Sequence, residues 1–183
     1  MKLSVVLVLL LGLLVSGCSS DSTDSAEGDD GGARITDRVE LVTQMIHRDA
    51  ALLSLFDAGL GKPVPARVGG AVELARTNAS ARIETAADLL EEWGEEVPVT
   101  VRDHGIDHGI EVDAPELVGA PTQDEIHALA DSVDFAGDFT ALFRAALEST
   151  RDTAASYAGD DSDVMSFADG AERSSQDTLD AFS

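Results

Sequence analysis

DRVELVTQMIHRDAALLSLFDA, residues 37–58, carries large apolar side chains at Val39, Val42, Met45/Ile46, Leu53 and Phe56, and Leu60 continues the series. Steps of three and four residues line up one face of an α-helix, whereas a half-buried strand would alternate every second residue. Gly59 and Gly61 follow and close the stretch, because glycine supplies the backbone conformations that end helices.

The same period recurs on the C-terminal side. Pro63 and Pro65 precede a second run, with Pro65 suited to a first helical turn. Val68, Val72, Ala75, Ala79, Ile83, Ala86, Leu90 and Trp93 share its face, and Gly94 is its stop. Residues 95–121 are broken by Pro98, Gly105, Gly109, Pro115, Gly119 and Pro121 and read as irregular. Thr122-Gln123-Asp124-Glu125 is a capping box, which predicts a short helix there. A long helix is expected from Phe135 to Ala158, with Phe139, Leu142/Phe143, Ala146, Thr150, Ala154 and Tyr157 inward. After the turn at residues 159–162, a last helix from Asp163 to Ala181 turns Val164, Phe167, Ala171, Ser174, Thr178 and Phe182 inward.

Aromatic residues make up 4% of the chain while alanine is abundant, a composition of close-packed helices rather than sheets. Leu74-Ala75 and Phe167-Ala168 stand at similar places in the second and last helices. The expectation is an all-α four-helix bundle made of two helix-hairpin repeats, about 37–94 and 135–182. Residues 95–133 connect them as a loop and short helix.

The N-terminus is of another kind. Met1-Lys2 precedes an apolar run from Leu3 to Val15, and Ser16-Gly17-Cys18 follows. A charged start and a short apolar run are the marks of a secretory signal, too short for a comfortable spanning helix. Small residues before a cysteine resemble the bacterial lipoprotein cleavage box. That resemblance implies cleavage after residue 17, a lipid on Cys18, and anchoring to the outer face of the cytoplasmic membrane or cell envelope. Cys18 is the only cysteine, so no intramolecular disulfide can form. Residues 18–34 are Ser, Asp and Gly-rich and read as an acidic flexible tether, with the helical domain at 35–183.

Thirty-five acidic residues against twelve basic give a net charge of −23. A nucleic acid partner is excluded, since phosphate binding needs basic surface. Electrostatic docking on anionic lipid is excluded for the same reason. Divalent cations are attracted diffusely, and an envelope protein remains an open partner class.

Met45-Ile46, Leu74-Ala75, Leu89 and Trp93, then Val118-Gly119-Ala120-Pro121-Thr122, then the run from Phe139 to Ala158 occur in a characteristic order. In that order the chain resembles the ferritin-like bacterial domain-of-unknown-function family 305, from about Val39 to Phe182. The resemblance implies a His-His pair in the first helix of each repeat and a Gln, Glu and Met set in the second. It also implies copper or other metal chemistry on facing helices. Here those positions hold Arg48-Asp49 and Thr150-Arg151 in place of His-His. Arg82 and Ser175 stand for Gln, Thr85 and Thr178 for Glu, and Leu89 and Phe182 for Met. Arginine cannot ligate a cation and repels one, so this chain is expected to lack the family's core site. An ion pair between Asp49 and Arg82 or Arg151 is the expected substitute.

One other cluster has metal-ligating chemistry. Asp103-His104-Gly105-Ile106-Asp107-His108-Gly109-Ile110-Glu111 is a tandem repeat with two imidazoles four residues apart among carboxylates. Nitrogen and oxygen donors of this kind suit copper(II) or zinc, and a polar surface loop is the plainer alternative. His127 reads as a surface or packing residue rather than a ligand, and His47 as one near the bundle interior. Glu91, Glu92, Glu95 and Glu96 read as a solvated face or a loosely held cation site. No phosphate loop, nucleophile elbow or zinc-protease helix occurs, and no enzyme activity is expected.

Overall fold

The computed structural model describes residues 34–99 and 117–181. Five helices account for the regular structure among them: α1 (Arg38–Ala58), α2 (Ala66–Trp93), α3 (Gln123–Leu129), α4 (Phe135–Ala155) and α5 (Ser162–Ala181). The fold is all-α, and among the described residues no helix is long and apolar enough to cross a membrane.

Local chemistry sets the boundaries. The Asp37 carboxylate accepts from the N–H groups of Val39 and Glu40, satisfying two donors that the first turn of α1 leaves unpaired. Pro65 is the N-cap of α2, one residue before the helical turn expected for it. At the other end Gly94 adopts φ 73°, and the N–H of Glu95 returns to the Leu90 carbonyl at 2.9 Å. That closure requires left-handed backbone, which glycine enters without a side-chain clash. Thr122 and Glu125 form the reciprocal capping box of α3.

Two tight hairpins result, α1 with α2 and α4 with α5. They pack α1 against α4 and α2 against α5, and α3 lies on α1 and α4. The Asp57–Arg76 and Asp49–Arg82 ion pairs fix α1 and α2 as antiparallel. Phe56 meets Phe143 near one end of the α1–α4 seam, and Ile35 meets Tyr157 at the other, so these helices are antiparallel too. With both hairpins antiparallel, α2 and α5 must be as well. The order is up, down, down, up, with one long crossover between α2 and α4.

The third long helix, α4, stops at Ala155 rather than at Ala158 as periodicity suggested. The backbone beyond it is needed elsewhere. Ile35 donates to the Ser156 carbonyl at 3.2 Å and accepts from the Ala158 N–H at 2.8 Å. Arg38 reinforces the junction, donating to Asp161 at 3.0 Å and lying over the Trp93 ring at 4.3 Å. The start of α1 is thereby clasped to the turn of the second hairpin and the end of the first.

The bond from Arg38, and then the N–H of Val164, hold the Asp161 carboxyl below its ordinary value. A depressed carboxyl contributes stability above its unfolded pKa and loses it as pH falls through the folded value. Asp161→Asn keeps the capping oxygen but not the charge. Its melting temperature should lie below wild type at neutral pH. That gap should close as pH drops below about 4, which thermal melts across pH 2–7 would record. A gap that stays constant would mean the charge is not what the clasp uses.

Two apolar clusters fill the bundle. One joins Leu52, Leu55 and Phe56 of α1 to Val68–Ile83 of α2, Phe139, Phe143 and Leu147 of α4, and Ile126 and Leu129 of α3. The other joins Leu41, Val42, Met45 and Ile46 to Ala86, Leu90, Ala154, Val164, Phe167 and Ala171. Leu60, expected to continue the inward series of α1, is 70% exposed, and Leu74 is 42% exposed. Leu60 lies beyond the Gly59 cap. Leu74 points away from the core while its supposed counterpart Phe167 is buried, so this pair does not carry the internal repeat.

Candidate functional site

Between the two apolar clusters lies a layer of buried polar side chains: Arg48 and Asp49 of α1, Arg82 of α2, Thr150 and Thr153 of α4, and Ser175 and Thr178 of α5. All four long helices contribute, α1 and α2 from near their middles and α4 and α5 from their C-terminal halves. Periodicity places these residues there. Arg48, Asp49, Arg82 and Thr150 fall on stripes that are apolar one turn before and one turn after.

Asp49 is completely buried. Arg82 grips it with two parallel bonds, Nε to Oδ2 at 2.9 Å and Nη2 to Oδ1 at 2.5 Å, and its Nη1 donates to Ser174 at 2.9 Å. A planar guanidinium matches a carboxylate in this way, and the ionised donor makes the bonds strong. Burial pushes the Asp49 carboxyl upward. The Arg82 charge and hydrogen bonds, and then the Arg48 charge, oppose that push. The outer edge of Arg82 reaches a shallow groove of about 250 Å3 between α2 and α5, lined by Asn78, Thr85, Ser166 and Ser174.

Arg48 turns the other way. Its Nη1 donates to the Val118 carbonyl at 3.0 Å and to Ser149 Oγ at 2.5 Å, while Ser149 donates to the same carbonyl at 2.8 Å. Gly119 makes this approach possible. A Cβ there would sit 2.6 Å from Ser149 Oγ, and its φ is 78°. Burial lowers the pKa of Arg48, and the Asp49 charge raises it again only in part.

The expected substitute ion pair is therefore Asp49 with Arg82. Arg151, the other candidate partner, is half-buried and turns instead to Asp152 and Gln176. Of the positions that the sequence resemblance set against metal ligands, Arg48, Asp49, Arg82, Thr150, Ser175 and Thr178 are interior. Thr85 is exposed and bonds its own helix at Ala81. Thr178 donates to the Ser174 carbonyl, and Ser175 Oγ has no hydrogen-bond partner. Two guanidiniums and one carboxylate already held by both oxygens do not fit a metal ion. Among the described residues no group of three or more His, Cys, Asp or Glu is placed to hold one. His127 is exposed, and burial lowers the pKa of half-buried His47.

Asp103, His104, Asp107 and His108, and the lipidation candidate Cys18, lie outside the described residues. The Val118 and Ser149 partners of Arg48 were missed at the sequence level. The glycine at 119 was the available signal, read there as punctuation and as part of the resemblance. Comparison of the chain with protein-family models, with curated proteins and with solved structures finds no match.

Proposed function

We propose that the chain is an exported, lipid-anchored helical-bundle protein of the cell envelope that acts as a non-catalytic structural or interaction module. The observation that carries the non-catalytic part is the Asp49–Arg82 pair at the bundle centre. Facing helices of a bundle are where such folds build metal or cofactor chemistry. Here the facing polar groups bind one another. The up, down, down, up connectivity with one long crossover is that of ferritin-like bundles, which supports the resemblance to family 305 as a member without the His-His ligands.

Ser16-Gly17-Cys18 after the apolar run carries the anchoring part. Cys18→Ala should release the protein from the membrane fraction or stall it with its leader attached, as read by fractionation and intact mass. Unchanged membrane retention at mature mass would count against a lipid on Cys18.

A second reading rests on the tandem Asp-His-Gly-Ile motif. It makes the protein a carrier of copper(II) or zinc through His104 and His108, with Asp103 and Asp107 beside them. Calorimetric titration of residues 35–183 with each metal, next to a His104→Ala/His108→Ala variant, separates the readings. Stoichiometric binding lost in the variant makes metal handling the function. Absent binding, or weak binding that the variant keeps, leaves the interaction module.

A further inference from the structure

We infer that the C-terminal turns of α2 are an ionic-strength-sensitive end of the bundle, seated only as firmly as dissolved cations screen their carboxylates. Glu84, Asp88, Glu91 and Glu92 are exposed on α2, and Glu95 and Glu96 follow its Gly94 cap, exposed as well. Asp88 is four residues from Glu84 and from Glu92, and three from Glu91. At those spacings side chains on a helix are neighbours, and like charges destabilise it. Glu91 and Glu92 also lie in the last turn, where unpaired carbonyls already make the helix end negative. No basic residue in that turn offsets them. The ion pairs Arg38–Asp161, Arg76–Asp57, Arg82–Asp49 and Arg151–Asp152 leave all six carboxylates out. The chain beyond the described residues cannot neutralise them either. Arg102 is the only Lys or Arg between Arg82 and Arg144, and Asp103, Asp107, Glu111, Asp113 and Glu116 come with it.

What holds this end down is apolar. Ala86 and Leu90 are fully buried in the cluster with Leu41, Val42, Met45 and Ile46 of α1. Trp93 is partly buried on the same cluster and carries the Arg38 guanidinium 4.3 Å from its ring centroid. Packing pulls the helix end in while its charges push it apart, and the push depends on the solution. The screening length grows from about 3 Å in 1 M salt to about 30 Å in 0.01 M. Each like-charged pair disfavours a helix about 1.4- to 2.3-fold. The three pairs that Asp88 makes, with two carboxylates at the negative pole, therefore put about a tenfold change in opening under the control of salt. No cation has to occupy a place of its own. Among the described residues no group of three or more His, Cys, Asp or Glu is placed to hold one, so a diffuse cation atmosphere does the screening.

The test is hydrogen exchange of the intact chain, read by mass spectrometry, in about 0.01 M and about 1 M NaCl at one pH. Protection is referred to a free peptide of the same sequence in the same salt, which removes the effect of salt on the exchange chemistry. Protection of residues 87–93 should be about tenfold lower in the dilute salt. Residues 149–155, at the end of α4 where Asp152 meets Arg151, should change by less than about threefold. Asp88→Lys turns the three repulsions into attractions and should bring residues 87–93 down to that smaller response. Asp88 is exposed, so the substitution disturbs no packing. MgCl2 at matched ionic strength should act as NaCl does. No salt response at residues 87–93, or an equal one at residues 149–155, would overturn the inference. So would a tenfold response that Asp88→Lys keeps, or a magnesium effect that saturates at one ion per chain.

Discussion

Asp49→Ala is expected to lower the unfolding free energy by about 3–5 kcal/mol, the usual cost of breaking a buried ion pair from one side. The variant leaves Arg82 and Arg48 in the same interior layer with no carboxylate between them. Arg82 keeps only its bond to Ser174. Stability of a domain this size is about 5–15 kcal/mol in total, so the single change takes a large share of it. Asp49→Leu combined with Arg82→Leu should recover most of the loss, because the desolvation of both charges disappears with them. Urea unfolding measures both variants, with the midpoint moving and the slope unchanged. A loss under about 1 kcal/mol for Asp49→Ala would mean that the pair is solvated and that the layer does not join the helices.

Phe143→Ala should cost a similar amount, about 3–5 kcal/mol, for a different reason. Its ring is fully buried, stands edge-on to Phe56 at 5.0 Å between centroids, and lies 6.2 Å from Phe139. These three rings join α1 to α4, the seam between the hairpins. Removing the middle one takes away transfer free energy and two aromatic contacts, and leaves a hole that Gly59, already against Phe139, cannot fill. Phe143→Leu, which keeps much of the volume, should lose less than half as much. Equal losses for both substitutions would show that ring geometry, rather than filled volume, holds the seam.

The helices were legible because their ends are written in short-range chemistry. Asp37, Gly94 and the Thr122–Glu125 box act within a few residues of themselves, and a local reading finds them. Where long-range contacts decide, that reading failed. Residues 156–158 carry on the helical pattern of α4, yet their backbone serves Ile35, more than a hundred residues earlier in the chain. The same division holds for the polar layer. That Asp49 needs a cation was readable from its place on an apolar stripe. That Arg82 rather than Arg151 supplies it depends on which helix lies beside α1 at that height. Of the partners of Arg48, Val118 comes from a connecting segment with no period to read, and Ser149 from the exposed side of α4.

The clasp at Ile35 also has a mechanical meaning. Any pull on the chain from the N-terminal side enters the bundle at this residue. A helix gripped only by its own first turn would be unwound from that end, one hydrogen bond after another. Here the load passes at once through the Ser156 and Ala158 backbone to the turn joining α4 to α5, and through Arg38 to Asp161 and Trp93. Both hairpins share the tension from the start, so the bundle is drawn along as one body rather than frayed from its leading edge.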